Sequence, residues 1–181
     1  MSWPRWMGWL LLSLPGLGLT WGWLGGGTEV EELLHVSGET SGRLLILTLA
    51  ITPLIRLLPT WRLPRWLLKH RRALGVASFG YAVLHTVIYG VEEGWLHELL
   101  APAIAAGWLA LVAMAFPGLT SNDMSARWLR RWWKPVQRVS YATAVLTAAH
   151  WLLLDGAWGP VLVHFVPLAL LEAYRVARRS G

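Results

Sequence analysis

The segment HRRALGVASFGYAVLHTVIYGVEEG, residues 70–94, sets the organisation of the chain. It opens on the bases Arg71 and Arg72, runs uncharged from Ala73 to Val91, and closes on the acids Glu92 and Glu93. An apolar run of roughly 17–25 residues is what a helix needs to cross a membrane. The segment therefore has a direction as well as a length, because one end carries bases and the other acids.

The pattern repeats on both sides. Further apolar runs lie at 3–24, 43–58, 99–117, 136–154 and 160–177, which with 73–91 makes six. The run at 43–58 is short and extends through its flanks, and Pro53 kinks it or marks its inner end. The polar stretches alternate in charge. Residues 25–42 carry Glu29, Glu31, Glu32 and Glu39; residues 56–72 carry Arg56, Arg62, Arg65, Lys69, Arg71 and Arg72. Next come Glu92, Glu93 and Glu98, and then Arg127, Arg130, Arg131, Lys134 and Arg138 against Asp123. Asp155 follows alone, and the tail holds Arg175, Arg178 and Arg179. With Arg5, every base except Arg43 falls on one side, and every acid except Asp123 and Glu172 on the other.

Basic loops stay in the cytoplasm. The expectation is an all-α integral membrane bundle of six transmembrane helices, a single domain over 1–181 with both termini cytoplasmic. The first run resembles a signal peptide, with Arg5 before its apolar stretch, but lacks a small-x-small cleavage site and reads as a retained helix. Its tryptophans, Trp3, Trp6 and Trp9 at one end and Trp21 and Trp23 at the other, fit interfacial belts.

Composition agrees. Hydrophobic residues are 55% and charged residues 14%, against about 25% charged in a soluble domain. This argues against a soluble enzyme, a disordered chain or a nucleic-acid binder. The net charge of +6 follows from the inner-side bases. Those bases read first as orientation and anionic-lipid contact, and second as a docking surface for a partner. The absence of Cys excludes disulfides, iron–sulfur clusters, Cys-ligated zinc and c-type haem attachment. No GxGxxG opens a βαβ unit and no GxxxxGK[ST] is present, so the chain brings no nicotinamide, FAD or ATP domain of its own. No internal repeat or low-complexity linker interrupts it.

An ionisable residue inside a span is a functional candidate by default. His35 and His97 fall in outer loops and His70 among the inner bases, while His85, His150 and His164 fall within spans. At 1.5 Å per helical residue, His85 lies about 20 Å from Arg72, His150 about 18 Å from Arg138, and His164 about 6 Å from Pro160. His85 and His150 thus share a depth in the outer half. Two such imidazoles on different helices can hold one haem iron from opposite faces. Hydrogen bonding of each His to a neighbouring helix is the competing reading, and the stronger one for His164. Zinc fits less well, since no matched-depth carboxylate completes four ligands. The small residues Gly75, Ala77, Ala142, Ala144, Ala148 and Ala149 suit either close helix packing or a flat macrocycle.

The stretches GRLLILTLAITPLIRLLP, HRRALGVASFGYAVLHTVIYG, LTSNDMSARWLRRWWKPVQRVSYATAVLTAAHWLLL and LLEAYRV resemble the MsrQ/YedZ family of haem membrane proteins, within the ferric-reductase-like transmembrane group. The resemblance implies a multi-pass b-haem subunit of the bacterial inner (plasma) membrane. Such a subunit passes electrons to a periplasmic molybdopterin enzyme that reduces methionine sulfoxide in proteins. It maps the outer-half ligands onto His85 and His150. Where the family carries a His 13 residues before the second ligand, this chain has Gln137, a poor haem ligand. One haem b is therefore expected, with His70 the candidate inner substitute and His164 an extra outer ligand or propionate contact. Arg71 and Arg72 are candidates for a flavin phosphate or haem propionates; their competing reading is inner-side anchoring. A single outer haem leaves a long gap on the inner side, which a flavin mononucleotide or a quinone would bridge. The expected partners are the membrane, a periplasmic or membrane redox protein, and a flavin reductase or quinol as donor.

Three readings follow. The first is an electron-transfer subunit of an oxidoreductase system, without substrate chemistry of its own. The second is an accessory, docking subunit of a larger respiratory or photosynthetic membrane complex, with haem retained or lost. The third is a small transporter, for which Glu172 is the intramembrane acid.

Overall fold

The computed structural model describes residues 5–156 and 158–178, so Trp3 and Arg179 lie outside the described residues. Six long helices and one short one follow in order: α1 (Arg5–Leu24), α2 (Val30–Leu57), α3 (Arg62–Tyr89), α4 (Pro102–Leu119), α5 (Asp123–Leu129), α6 (Trp133–Asp155) and α7 (Trp158–Ala177). Among the described residues there is no strand. The fold is an all-helical membrane bundle, as composition and run length require.

The helices outrun the apolar segments. Residues 30–42, expected as loop, form the first turns of α2, so Glu31, Glu32, His35 and Glu39 are helical. An apolar run marks the stretch that lipid covers, not where backbone hydrogen bonding stops. Glu31 and Glu32 sit in the first turn and Arg56 in the last, each at the helix end its charge favours. α3 likewise begins at Arg62, with Pro64 in its first turn, where the missing N–H costs nothing. At 28 residues each, α2 and α3 are about 42 Å long and exceed the hydrocarbon thickness of about 30 Å. Pro53 is buried inside α2 and does not end it; the helix continues to Leu57. Arg43, the base on the acidic side, is bonded to Glu39 one turn earlier.

Four helices, α2, α3, α4 and α7, are long and apolar enough to cross a membrane by length and composition alone. Trp and Gly dilute α1, and Lys134, Gln137, Arg138 and Ser140 dilute α6. The most extensive contacts are α2 with α3 and α4 with α6. α2 also meets α1, α6 and α7 and so is the centre of the bundle. Leu45, Leu49 and Ala50 of α2, Met114 of α4, Ala144 of α6 and Leu168 of α7 form one buried cluster.

Lipid tails are as apolar as leucine, so burial alone does not drive helices together; close packing and interhelical hydrogen bonds do. Ser41 and Ser78, both buried, illustrate this. The Ser41 hydroxyl donates to the Ser78 carbonyl at 2.9 Å, and the Ser78 hydroxyl donates to the Ser41 carbonyl at 2.8 Å. Tyr81 of α3 donates to the Leu12 carbonyl of α1 at 3.0 Å, and Trp23 of α1 donates to Glu92 at 2.6 Å. The first bond holds α1 against α3, and the second ties the end of α1 to the segment just after α3.

Candidate functional site

The two helix pairs do not close on each other at the acidic end. Between them lies a cleft of about 1190 Å³, larger than the roughly 300–1,000 Å³ of ordinary ligand pockets. Its walls are Leu34, Gly38 and Ser41 of α2, Ala82, His85, Thr86 and Tyr89 of α3, Ile104, Gly107, Ala110 and Leu111 of α4, and Thr147, His150, Trp151 and Leu154 of α6. Met114 also lines it and belongs to the buried cluster below. The mouth carries Glu29, Glu31, Glu32, Glu39, Glu93 and Glu98 with His35 and His97, and no Lys or Arg is among the lining residues.

His85 and His150 face each other across this cleft, with ring centres 6.4 Å apart and ring planes at 78°. Each ring is anchored through the same atom. His85 Nδ1 lies 2.9 Å from the Leu34 carbonyl of α2, and His150 Nδ1 lies 2.8 Å from the Ala103 carbonyl of α4. A carbonyl only accepts, so both Nδ1 atoms carry the proton. The opposite nitrogen, Nε2, is then unprotonated on both rings and carries a lone pair able to ligate a metal. The Ser37 hydroxyl, which donates to the Leu33 carbonyl at 2.6 Å, also lies 3.4 Å from His85 Nδ1.

The spacing suits a metal held from two sides. With a metal–imidazole bond of about 2.0–2.1 Å on either side, the ring centres of an axial pair stand about 6.3 Å apart. The observed separation is within a tenth of an ångström or so of that value. Among the described residues no group of three or more His, Asp or Glu gathers around a point to hold a free metal ion. The donor set is two imidazoles and a large, mostly apolar cleft, which fits a haem and not a bare cation.

The other expected site residues lie elsewhere. His164 donates from Nδ1 to the Pro160 carbonyl of its own helix at 2.8 Å, and its Nε2 accepts from Arg43 at 3.4 Å. Its ring meets Trp151 edge-on at 5.8 Å, and it is not among the cleft-lining residues. Arg71 donates to the Thr52 hydroxyl at 3.2 Å, and Arg72 pairs with Asp123 at 2.6 Å. Both sit at the far end of α3 from the cleft. His70 packs beside Trp66 at 4.6 Å, one helical turn away. Gln137 donates to the Pro117 carbonyl at 3.3 Å and to the Thr120 hydroxyl at 3.2 Å, fastening α6 to the end of α4. Glu172 pairs with Arg175 at 2.5 Å, which removes the isolated acid that a transporter reading needs.

Sequence reasoning named small residues but not those that matter here. Gly75 faces a Thr48 methyl and Ala144 belongs to the buried cluster, so both serve packing. The residues against the imidazoles are Gly38 and Gly107. Gly38 was hidden because its stretch reads as an acidic loop, and Gly107 because one glycine in an apolar run carries no signal of its own.

The family model for the ferric reductase like transmembrane component matches residues 37–148, from the first turns of α2 to two residues before His150. The chain is 34% identical over 188 residues to the protein-methionine-sulfoxide reductase heme-binding subunit MsrQ of Rhizobium meliloti, covering 94% of this chain and 83% of that one. The chain belongs to the MsrQ family. The subunit of the same name from Brucella ovis is 31% identical, over 96% of this chain and 83% of that protein. No solved structure matches the chain. Membership agrees with the apolar helices: this is a membrane protein.

Proposed function

We propose that the chain is a b-haem electron-transfer subunit of the bacterial inner membrane, holding one haem between His85 and His150. The observation that carries this reading is the facing pair of imidazoles 6.4 Å apart, each with its Nδ1 hydrogen-bonded to a backbone carbonyl. The relatives' name adds the cofactor class, since those proteins are heme-binding subunits of a protein-methionine-sulfoxide reductase.

When bound, the haem supplies reversible one-electron chemistry at its iron. The chain's own residues hold and insulate it. His85 and His150 would hold its iron through the unprotonated Nε2, and the Leu34 and Ala103 carbonyls fix both ring orientations and raise imidazole basicity. Ala82, Ala110, Leu111 and Ile104 keep the walls apolar. Trp151 stands between the cleft and His164. The acidic mouth faces the side opposite the basic loops, which is the periplasmic side under the charge rule. A periplasmic sulfoxide reductase subunit receiving electrons there is the partner this reading implies. The donor acts from the basic face, through a flavin or a quinol. A helix bundle that served only as a scaffold has no need of a cleft between its two main pairs, so nothing favours the accessory-subunit reading.

The test is a spectrum of the purified full chain in detergent, produced with ample haem. A low-spin b-type spectrum and a pyridine haemochrome ratio of one haem per chain are expected. Protein without a Soret band would overturn the reading.

A further inference from the structure

We propose that Gly38 and Gly107 are the positioning residues that decide which nitrogen His85 and His150 present to the cleft. The inference rests on the haem reading above and adds the device by which the chain orients both ligands.

The two helix pairs build the same unit from unrelated sequence. In each, an imidazole Nδ1 donates to the carbonyl of residue i on the partner helix, and residue i+4 is glycine: Leu34 with Gly38 for His85, Ala103 with Gly107 for His150. In an α-helix the carbonyl of i already accepts the N–H of i+4. A second donor must approach past the side chain of residue i+4, and glycine has none. A Cβ at Gly38 would lie 3.0 Å from His85 Nδ1 and 3.1 Å from Cε1. A Cβ at Gly107 would lie 3.0 Å from His150 Nδ1 and 3.1 Å from Cε1. Both fall inside the 3.4 Å at which ordinary contact begins. The ring cannot back away from such a methyl without lengthening its hydrogen bond. Without that bond the ring loses the acceptor that favours the Nδ1–H tautomer and fixes its orientation, and the metal must select both at a cost in affinity.

The duplication separates this from ordinary packing. Gly80, within α3, has nothing within 4 Å of its Cβ position, so a methyl there meets open space. It is the internal control.

The experiment compares Gly38→Ala, Gly107→Ala, their combination and Gly80→Ala with the wild-type full chain in detergent. The readouts are the rate of haem transfer to excess apomyoglobin, the ferric spin state, and carbon monoxide binding by the reduced protein. Loss of a hydrogen bond that orients a metal ligand costs about 10–100-fold in affinity. Haem loss is expected to accelerate by that factor in each single variant, with a high-spin, carbon-monoxide-binding fraction that wild type and Gly80→Ala lack. Single variants with the wild-type spin state and haem-loss rate would overturn the proposal while leaving the haem reading intact. A wild-type chain without haem would overturn both. If an alanine variant yields no folded chain, proton electron–nuclear double resonance on the wild-type haem protein decides. Two hydrogen-bonded Nδ1 protons support the paired unit, and a free or missing one overturns it.

Discussion

Helices α3 and α6 each run the length of the bundle, and their two ends differ. At the acidic end both carry a histidine, the partner helices present glycines, and the side chains leave a cleft. At the basic end the corresponding polar residues close the structure. Arg71 reaches Thr52, Arg72 reaches Asp123, and Gln137 ties α6 to the last turn of α4. The space between is filled by Leu49, Met114, Ala144 and Leu168, with Phe79 and Tyr141 packed against them. Phe79 lies so close to Gly118 that a Cβ there would meet its ring at 2.7 Å. Polar side chains on a membrane helix therefore play two roles in one molecule. Those opposite small residues can hold a ligand, and those opposite carbonyls and hydroxyls of turns lock helix ends.

The comparison breaks most decisively at the ligands. His85→Ala or His150→Ala should abolish the low-spin b-type spectrum; retention of full haem in either variant would show that the facing pair is not the ligand pair. The glycine variants come next, with faster haem loss rather than absence. Restoring an imidazole at the other end gives a sharper contrast. Gln137→His should leave haemochrome stoichiometry unchanged, because the basic end is packed and the side chain points into the α4 turn. A rise toward two haems per chain would mean that this end opens as readily as the other. Ser78→Ala removes one half of the Ser41–Ser78 pair between the ends. An interhelical bond of this kind is worth on average about 0.6 kcal/mol and up to about 1.7, so a small loss in thermal stability with an unaltered spectrum is expected. Arg72→Ala removes a largely exposed ion pair, and exposed pairs contribute about 0–1 kcal/mol. Its effect on haem content should be nil, and a loss of haem would return Arg72 to the site.

Much of this was legible before the fold was known. The alternation of Glu29, Glu31 and Glu32 with Arg62, Arg65 and Lys69, and of Glu92 and Glu93 with Arg127 and Arg130, marks the limits of the lipid-covered stretches because charge avoids hydrocarbon. The equal depth of His85 and His150 follows from counting residues along helices of fixed rise. His164 shows the limit of such counting. Its depth also places it in the outer half, but it faces Arg43 and Trp151, because depth says nothing of the direction in which a side chain leaves its helix. The start of α2 was illegible for a related reason: acids at 29–39 look like a loop when hydropathy is the only guide, yet a helix continues through them outside the lipid.

Sequence by itself determined a membrane bundle of long helices, its charge asymmetry and two histidines at one depth. Those properties follow from transfer of side chains out of water and from helical rise, which are local. Tertiary structure alone decided that the two rings face each other, that Nδ1 of each is taken by a carbonyl, and that Gly38 and Gly107 make room for this. Each of these depends on the rotation of one helix against another, which the packing of small residues sets and which no single helix encodes.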